Sequence, residues 1–454
     1  MSRLAKRVAL LSRSSYSSAA PAAAAPRRPP SSFSAAAAAW TWLAPARHHG
    51  IEPTTHRDAG IGRRCYSSPS SSSGYHVSPS SAMKGAVFRD PTRPLSLELL
   101  QIPRPQPGEV LIRTKACGVC RSDLHVLKGD HTFVSPCVVG HEITGEVVEH
   151  HPLTDPKMVH RFPVGSLVVG AFIMPCGSCF HCSKGHDDLC EDFFAYCRGR
   201  GTLFDGNTRL FLHGTGEPVY MNSMAGMAEY CIVLANGLAL LPASLPYSES
   251  AILGCAAFTA YGAMTHAAEV RPGDSIAVIG VGGVGSSCLQ IAKAFGASDI
   301  IAVDISDEKL QEAKIFGATH TVNAIKEDAI EKIKTITGGM GVDIAVEALG
   351  KPQTFMQCVQ SVRDGGKAVM IGLAKSGAVG EVDTNRLVRR KIKVIGSYGA
   401  RTRQDLPKLV KLAESGIFNL TSAVSRKYTL EEAGKAYQEL DQGKIVSRAI
   451  VEMM

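Results

Sequence analysis

Four cysteines in one short stretch offer the clearest chemistry in the chain. The segment PCGSCFHCSKGHDDLC, which ends at residue 190, contains Cys176, Cys179, Cys182 and Cys190. Three thiols at intervals of three residues, followed by a fourth, can converge on one tetrahedral cation. Zn²⁺ held by four thiolates has no open position, so the spacing predicts a structural site that orders the loop at residues 175–191. An iron–sulfur cluster is the main alternative.

Three dispersed segments contain further candidate metal ligands. They are CGVCRSDLH with Cys120, GHE with His141, and LGCAAFTAYG with Cys255. Two thiolates and one imidazole would leave the fourth position of a zinc ion open for water or substrate, as a catalytic site requires. Each residue taken singly is more often a buried cysteine or a hydrogen-bonded histidine, so spacing alone does not group them.

A glycine-rich turn predicts a dinucleotide site. VIGVGGVGSS places Gly280, Gly282 and Gly285 in the GxGxxG pattern between a predicted strand and a predicted helix. The glycines allow a tight turn, the approach of a pyrophosphate and close packing of the helix on the strand. The next strand ends in Asp304, where a carboxylate would bind a ribose and repel a 2′-phosphate, which favours NAD over NADP. Lys309 is a further candidate ribose contact. The alternative is an ordinary turn of an α/β sheet.

Two different sequence patterns along the chain indicate the secondary-structure elements that position these residues. Residues 84–255 contain short alternating strands and turns, which predict a mostly β domain. From about Pro272, apolar runs such as DSIAVIG and DIIAVD alternate with helical periodicities, which predicts a doubly wound parallel sheet and an α/β fold class. We therefore expect a transit peptide and linker at 1–80, a first domain at 81–255, a nucleotide domain at 256–396, and a return to the first domain at 397–454.

The positive charge of the chain is confined to its leader. Residues 1–66 contain ten Lys and Arg and two acids, so the remaining 49 − 10 = 39 basic and 41 − 2 = 39 acidic residues cancel. The net charge of residues 67–454 is therefore zero, which does not favour a nucleic-acid partner. The basic, Ser- and Ala-rich leader is typical of an organelle transit peptide, with mitochondrion favoured over plastid. No apolar run is long enough to predict a membrane span. A reducing compartment also argues against pairing the 13 cysteines as disulfides.

Taken in this order, the cysteine sets, GHE, the glycine turn and the acid after it resemble the zinc-containing alcohol dehydrogenases of the medium-chain dehydrogenase/reductase superfamily. The resemblance runs from about Lys84 to the C-terminus, and RRCYSS at 63–68 resembles a plant-type mitochondrial processing site. It implies a GroES-like, mostly β catalytic domain, completed by the C-terminal residues, beside a Rossmann domain. It also implies two zinc ions per subunit and subunits that pair as a homodimer through their sheets.

The resemblance assigns a role to individual residues. It places the catalytic zinc on Cys120, His141 and Cys255, and the structural zinc on the four clustered cysteines. A catalytic group would comprise Ser122 and His125 as the ends of a proton relay, Glu142 near the metal, and Asp123 as the carboxylate that orients a zinc ligand. The predicted cofactor contacts are Arg121, Thr259, Gly280, Gly282, Gly283, Gly285, Asp304, Lys309 and Arg448. Arg448 is expected at the cofactor phosphates or at Asp123, and Phe172 and His131 are expected in the substrate pocket.

These residues predict a zinc-dependent enzyme that transfers a hydride between NAD and a primary or secondary alcohol or aldehyde. A polyol dehydrogenase is one alternative, although Cys255 stands where such enzymes usually have Glu. A glutathione-linked formaldehyde dehydrogenase is another, although it typically lacks the histidine that His125 supplies. Cinnamyl-type enzymes usually lack the acid at Asp304. A non-catalytic, zinc-stabilised binding protein is the alternative from another class.

Overall fold

The computed structural model describes residues 81–453. The predicted transit peptide and linker, residues 1–80, lie outside the described residues. The described chain forms one lobe with two β-sheets and one lobe with a six-stranded sheet. The predicted combination of a mostly β domain with a doubly wound parallel sheet is therefore confirmed.

The regular elements of the described chain are numbered in chain order. The strands are β1 Ala82–Phe88, β2 Ser96–Gln101, β3 Glu109–Val119, β4 Cys137–Val138, β5 Ile143–His150, β6 Leu167–Gly170, β7 Leu210–Phe211, β8 Pro218–Met221, β9 Tyr230–Leu234, β10 Leu238–Leu240, β11 Ser275–Ile279, β12 Asp299–Asp304, β13 His320–Asn323, β14 Val342–Glu347, β15 Val362–Met370, β16 Lys393–Gly396, β17 Val424–Thr429 and β18 Arg448–Glu452. The α-helices are α1 Arg121–Leu127, α2 Pro156–Arg161, α3 Phe180–Ser183, α4 Ala256–Gly262, α5 Gly283–Ala294, α6 Asp307–Ile315, α7 Ala329–Ile336, α8 Pro352–Ser361, α9 Thr384–Arg390, α10 Thr402–Glu414, α11 Leu420–Ala423 and α12 Ala433–Asp441.

The parallel sheet has the strand order β13-β12-β11-β14-β15-β16. Its central strands are apolar and buried on both faces, because helices cover both sides of the sheet. The order reverses between β11 and β14, and ligands of such sheets bind at the carboxyl ends of the strands beside this reversal. The glycine turn begins at Gly280, directly after β11, and is therefore positioned at this crevice.

The longest strand of the other lobe, β3, organises the first half of the site. It pairs with β5, β9 and β18 in a seven-stranded sheet. Cys120 follows the last residue of β3, and the GHE segment immediately precedes β5. Because Cys117 is paired with Ile143 across these two antiparallel strands, the chain brings Cys120 and His141 to one end of the sheet.

The C-terminal strand returns to this lobe. β18 pairs antiparallel with β3, so that Ala449 stands opposite Val119. Arg448 at the start of β18 is thereby brought next to the end of β3, although more than 300 residues separate the two strands. The buried apolar side chains form one continuous cluster through both lobes and a smaller one on the far face of the parallel sheet. Within residues 81–453, no helix combines the length and apolarity needed to span a bilayer.

Candidate active site and metal centres

Three chain segments meet at a buried cage of metal-ligating side chains. Cys120 stands at the N-terminus of α1, Cys255 at the N-terminus of α4, and His141 in the connection before β5. The Sγ atoms of Cys120 and Cys255 are 3.9 Å apart. Tetrahedral zinc with Zn–S bonds of about 2.3 Å requires a sulfur–sulfur distance of about 3.8 Å. Together with Glu142, these residues offer ligand atoms that all lie within 4.8 Å of one another, so the cage fits one zinc ion.

A buried carboxylate fixes the orientation of the imidazole. Asp123 Oδ1 accepts a hydrogen bond from His141 Nδ1 at 3.0 Å, which leaves Nε2 as the nitrogen available to a metal. The other oxygen of Asp123 accepts from the Tyr437 hydroxyl at 3.0 Å. Tyr437 is fully buried on α12, and no pattern in the chain indicates this contact, because the two residues are 314 positions apart. The predicted orienting role of Asp123 thus has a geometric basis in the structure.

Glu142 is paired with Arg448 at the base of the cage. Arg448 Nε donates to Glu142 Oε1 at 3.1 Å, and Nη2 donates to the other carboxylate oxygen. Both side chains are buried, and Arg448 Nη2 also lies 3.7 Å from Cys255 Sγ. The hydrogen bond from the Cys255 thiol and the charge of Arg448 lower the pKa of Cys120 well below its usual range, against the effect of burial. A thiolate, the form that binds zinc, is therefore favoured.

The structure contradicts one of the two positions predicted for Arg448, the contact with Asp123. Asp123 is bonded by Tyr437 and not by Arg448, whose guanidinium is committed to Glu142. A buried carboxylate needs a compensating cation, and β18 supplies one. The Arg448 side chain also lies against the glycine turn, because a Cβ atom at Gly283 would be 2.9 Å from Arg448 Cδ. Arg448 therefore links the metal cage to the predicted cofactor site.

The four clustered cysteines form a second cage. Their Sγ atoms all lie within 4.8 Å of one another, which is compact enough for a single cation and does not favour the larger iron–sulfur cluster. Backbone amides donate to the sulfurs, with Cys176 N at 3.2 Å from Cys190 Sγ and Cys179 N at 3.2 Å from Cys176 Sγ. Burial raises the pKa of Cys190 to about 11. Burial also acts on Cys179, but backbone amides of Cys182 and Glu191 lower its pKa to about 7. The residues fit a structural zinc ion.

The glycine turn is shaped as a nucleotide cradle. Gly280 has a φ of 92°, which favours glycine, and its N–H donates to Val303 O of the neighbouring strand at 2.8 Å. Asp304 Oδ2 accepts from Val281 N at 2.9 Å, and its Oδ1 accepts from Ile305 N at 2.8 Å. The carboxylate thus fixes the turn in addition to its predicted contact with a ribose. Lys309 lies half-buried in the first turn of α6.

Two glycines of this turn should respond differently to alanine. A Cβ atom at Gly282 would meet no atom within 4 Å, and its φ of −74° suits any residue. We expect Gly282→Ala to leave the melting temperature unchanged and to weaken NADH binding about tenfold or more, because the methyl group occupies space required by the pyrophosphate. A Cβ atom at Gly285 would collide with Gly280 O, so Gly285→Ala should cost about 2–3 kcal/mol of stability. Thermal unfolding and NADH fluorescence titration test the pair. Unchanged NADH affinity in Gly282→Ala would contradict the assignment of the turn.

The predicted relay residues lie on one face of α1. Ser122 Oγ donates to Cys120 Sγ at 3.2 Å and lies 3.3 Å from His141 Nε2, so it contacts ligand atoms of two cage residues. His125 lies one turn later, as the i, i+3 spacing requires. Its Nδ1 is 3.1 Å from Asp130 Oδ2, and Asp130 also pairs with Lys375 at 3.1 Å. Lys375 and His125 lower the pKa of Asp130, which keeps a carboxylate beside the imidazole.

Two predicted cofactor contacts lie near the cage without touching the glycine turn in the structure. Arg121 Nη2 donates to Leu440 O at 3.4 Å, at the C-terminal end of α12. Thr259 is half-buried in α4, and its backbone N–H donates to Cys255 O at 2.7 Å.

Aromatic rings form a wall beside the cage. The Phe172 ring lies 5.8 Å from the His141 ring and 5.4 Å from the Tyr398 ring, measured between centroids, in edge-to-face arrangements. The Phe194 ring also packs on the Tyr398 ring, with 5.6 Å between centroids. His131, the other predicted pocket residue, contacts Ala374 O through Nε2 at 3.2 Å. Tyr398 could not be predicted as part of this wall, because it lies in the connection after β16 and far from Phe172 along the chain.

A cage of two thiolates and one imidazole, open at one corner and next to a dinucleotide cradle, defines a zinc-dependent, NAD-linked oxidoreductase. The chain belongs to the zinc-dependent alcohol dehydrogenase family. Residues 106–243 match the sequence family described as "Alcohol dehydrogenase GroES-like domain", and residues 283–415 match "Zinc-binding dehydrogenase". The chain is thus an NAD-linked alcohol oxidoreductase of this family.

Known members of the family are similar over most of the chain. Sorbitol dehydrogenase of Bacillus subtilis is 32% identical over 80% of this chain and 94% of its own length. Alcohol dehydrogenase B of Mycobacterium tuberculosis is 32% identical over 81% of this chain and 97% of its own length. The crystal structure of benzyl alcohol dehydrogenase from Acinetobacter calcoaceticus is similar with a TM-score of 0.76 and 30% identity, covering 82% of this chain and all of that one.

Proposed function

We propose that this protein interconverts primary or secondary alcohols with the corresponding aldehydes or ketones, and that Ser122 and His125 carry the proton. The observation that supports this proposal most directly is the position of Ser122 Oγ, 3.3 Å from His141 Nε2, beside a cage that offers three ligands and a paired glutamate. A hydroxyl group in this position can accept the proton of a substrate bound at the cage.

Each group of residues at the site has a separate role in the proposed reaction. Zinc, held by Cys120, His141 and Cys255, would supply a Lewis acid that lowers the pKa of the substrate hydroxyl. NAD, held at the glycine turn and Asp304, would supply the acceptor for the hydride from the carbinol carbon. Ser122 Oγ would accept the hydroxyl proton while giving up its own proton toward His125. His125, one turn away and partly exposed, would then release one proton to solvent. Alcohol and NAD⁺ thus yield carbonyl product, NADH and one proton.

The identity of the substrate is inferred from the residues at the cage. Cys255 as third ligand favours a simple alcohol over a polyol, and His125 favours an alcohol dehydrogenase over a glutathione-linked enzyme. The intact cage also argues against a non-catalytic binding protein, since such a role would not require the arrangement of Ser122 beside it. A small alcohol or aldehyde is therefore the proposed partner, with neither nucleic acid nor membrane.

Activity measurements with a substrate panel test this proposal. NADH absorbance would be followed with the purified protein and primary, secondary, aromatic and polyol substrates, in both directions. We expect alcohols and aldehydes to be converted with NAD. The catalytic efficiency with NADP should be at least about tenfold lower, because Asp304 repels a 2′-phosphate. Turnover of a polyol or of S-(hydroxymethyl)glutathione alone would favour the corresponding alternative. The absence of any turnover together with normal zinc content would favour a binding protein.

Replacing the relay histidine should change the pH dependence of turnover. We expect His125→Gln to lower turnover about fivefold to tenfold near neutral pH and to leave the zinc content unchanged, because glutamine keeps a hydrogen-bonding side chain but cannot carry a proton. The deficit should shrink as pH rises, since solvent base then accepts the proton. The measurement is kcat from about pH 6 to 9. His160→Gln, an exposed histidine on α2, is the matched control. Equal pH profiles for His125→Gln and the unmodified protein would remove His125 from the relay.

The proposed assembly is a homodimer that pairs through its parallel sheets. β16 is an edge strand with exposed residues, and Val388 on the preceding helix is 69% exposed. Unpaired backbone groups on an edge strand and an apolar neighbour are suited to the addition of a second copy. Size-exclusion chromatography with light scattering would give the mass of a dimer, whereas a monomer at micromolar concentration would contradict the proposal.

We also propose that the protein is a plant-type mitochondrial enzyme, with plastid as the alternative. The support is the basic, acid-poor leader, which lies outside the described residues. Import assays with isolated mitochondria and plastids would show which organelle cleaves the leader, and import into neither would contradict the proposal.

A further inference from the structure

Close to the aromatic wall lies an arginine, Arg198, with which no acidic residue among the described residues 81–453 forms an ion pair. Arg198 ends a π-helix, Phe193–Arg198, and its side chain is half-buried. Its Nη1 donates to Asn222 Oδ1 at 2.9 Å, and among residues 81–453 no aspartate or glutamate forms an ion pair with it. Withdrawing a guanidinium from water without a counter-charge is costly, so a partly buried arginine of this kind is typical of an anion-binding position.

The same turn holds both Arg198 and the aromatic wall. Asn222 is fully buried and anchors the guanidinium, while the adjacent Ser223 donates through Oγ to Phe172 O at 2.8 Å. Ser223 and Ala225 have φ values of 61° and 55°. Left-handed conformations at non-glycine residues are strained and are often kept at functional sites. The turn therefore fixes the distance between the arginine and the Phe172 ring, which packs on the metal ligand His141.

Tyr398 connects the arginine to the cage. Its ring packs against Phe172, and its hydroxyl lies near Arg198. Burial raises the pKa of Tyr398, the charge of Arg198 opposes this rise, and the cage thiolates of Cys255 and Cys120 add to it. The Phe172 ring, which packs on both Tyr398 and the metal ligand His141, connects this tyrosine to the cage. A substrate that lies along this wall would extend from the metal position to Arg198.

Resting on the proposed function, we infer that Arg198 is a specificity residue that binds a carboxylate at the far end of the substrate. The preferred substrates are then aryl or unsaturated alcohols and aldehydes that bear a carboxylate. The carbinol carbon lies at the cage, the planar part packs against Phe172 and Tyr398, and the carboxylate accepts hydrogen bonds from the guanidinium. Arginine suits this purpose because its planar fork matches a carboxylate.

Two substrates of the same shape test the inference. The carboxylate-bearing substrate is para-(hydroxymethyl)benzoate, and para-methylbenzyl alcohol is its neutral counterpart. We expect the unmodified protein to have a kcat/KM about tenfold to hundredfold higher for the carboxylate, as one charge-assisted hydrogen-bond pair provides. Arg198→Met should abolish this preference and leave kcat/KM for the neutral alcohol within about twofold. Arg198→Lys should retain part of the preference, because it retains the charge.

A neighbouring arginine provides the matched control. Arg200, two residues later, is exposed and lies 5.1 Å from the Tyr196 ring centroid, so Arg200→Met should keep the full preference for the carboxylate. Equal loss on both substrates in Arg198→Met would indicate a purely structural role and overturn the inference, as would a preference of the unmodified protein for the neutral alcohol. If neither alcohol is oxidised by the unmodified protein with either cofactor, the proposed function itself fails.

Discussion

Replacing Cys255 with alanine should lower NAD-linked alcohol oxidation by a factor of about 10³ or more and reduce the zinc content from about two ions per chain to about one. The reason is the cage geometry, in which Cys255 Sγ is 3.9 Å from Cys120 Sγ. Alanine leaves one thiolate and one imidazole, and the carboxylate of Glu142 is held by Arg448. Loss of Lewis-acid stabilisation worth about 4 kcal/mol corresponds to about three orders of magnitude in rate.

The measurements that check this prediction are metal content by mass spectrometry and the rate of NADH formation. Cys288→Ala is the matched control, because Cys288 is equally buried in α5 and belongs to neither cage. NADH binding should be retained in both variants, since the glycine turn is unaltered. A Cys255→Ala protein that keeps both zinc ions, or keeps its activity, would refute the assignment of the catalytic cage.

Site residues that lie close together along the chain could be predicted from the sequence. The four cysteines from Cys176 to Cys190 occupy one loop, and the glycine turn follows one strand, so their spacing alone predicted a cage and a cradle. The trio Cys120, His141 and Cys255 is spread over 136 residues and was grouped only by resemblance to a family. The pairing of β3 with β5 supplies the physical reason that Cys120 and His141 meet, and no periodicity of the chain encodes that pairing.

Contacts between distant segments could not be predicted from the sequence. Tyr437 reaches Asp123 across 314 positions, and Arg448 reaches Glu142 across 306. Both contacts satisfy a buried carboxylate, which is a requirement of the folded state that leaves no pattern in the chain. The predicted contact of Arg448 with Asp123 was wrong for this reason. Arg198 was missed for a similar reason, since only the folded structure shows that no acidic residue among 81–453 forms an ion pair with it.

Removing one cysteine of the structural cage should lower the free energy of unfolding more than most single substitutions do. Cys190→Ala is expected to remove one zinc ion and to lower the free energy of unfolding by about 4 kcal/mol or more, because loss of a metal is among the few mechanisms with effects of this size. Cys190 Sγ accepts from the backbone amides of Cys176 and Phe193, so the loop and the start of the π-helix lose a common anchor. Cys197→Ala, a buried cysteine outside the cage, is the control.

Low pH should likewise release the structural zinc and lower the free energy of unfolding of the unmodified protein. Zinc binds thiolates and must displace protons from the cage, where Cys190 has a pKa raised to about 11 by burial and Cys179 one of about 7. Protons therefore compete with zinc more strongly as pH falls, so metal affinity and the stability derived from it decrease toward low pH. Urea unfolding with a zinc-sensitive dye should show zinc release and loss of stability together. Equal stability of Cys190→Ala and the unmodified protein at neutral pH, with zinc present, would show that the cage does not hold the fold together.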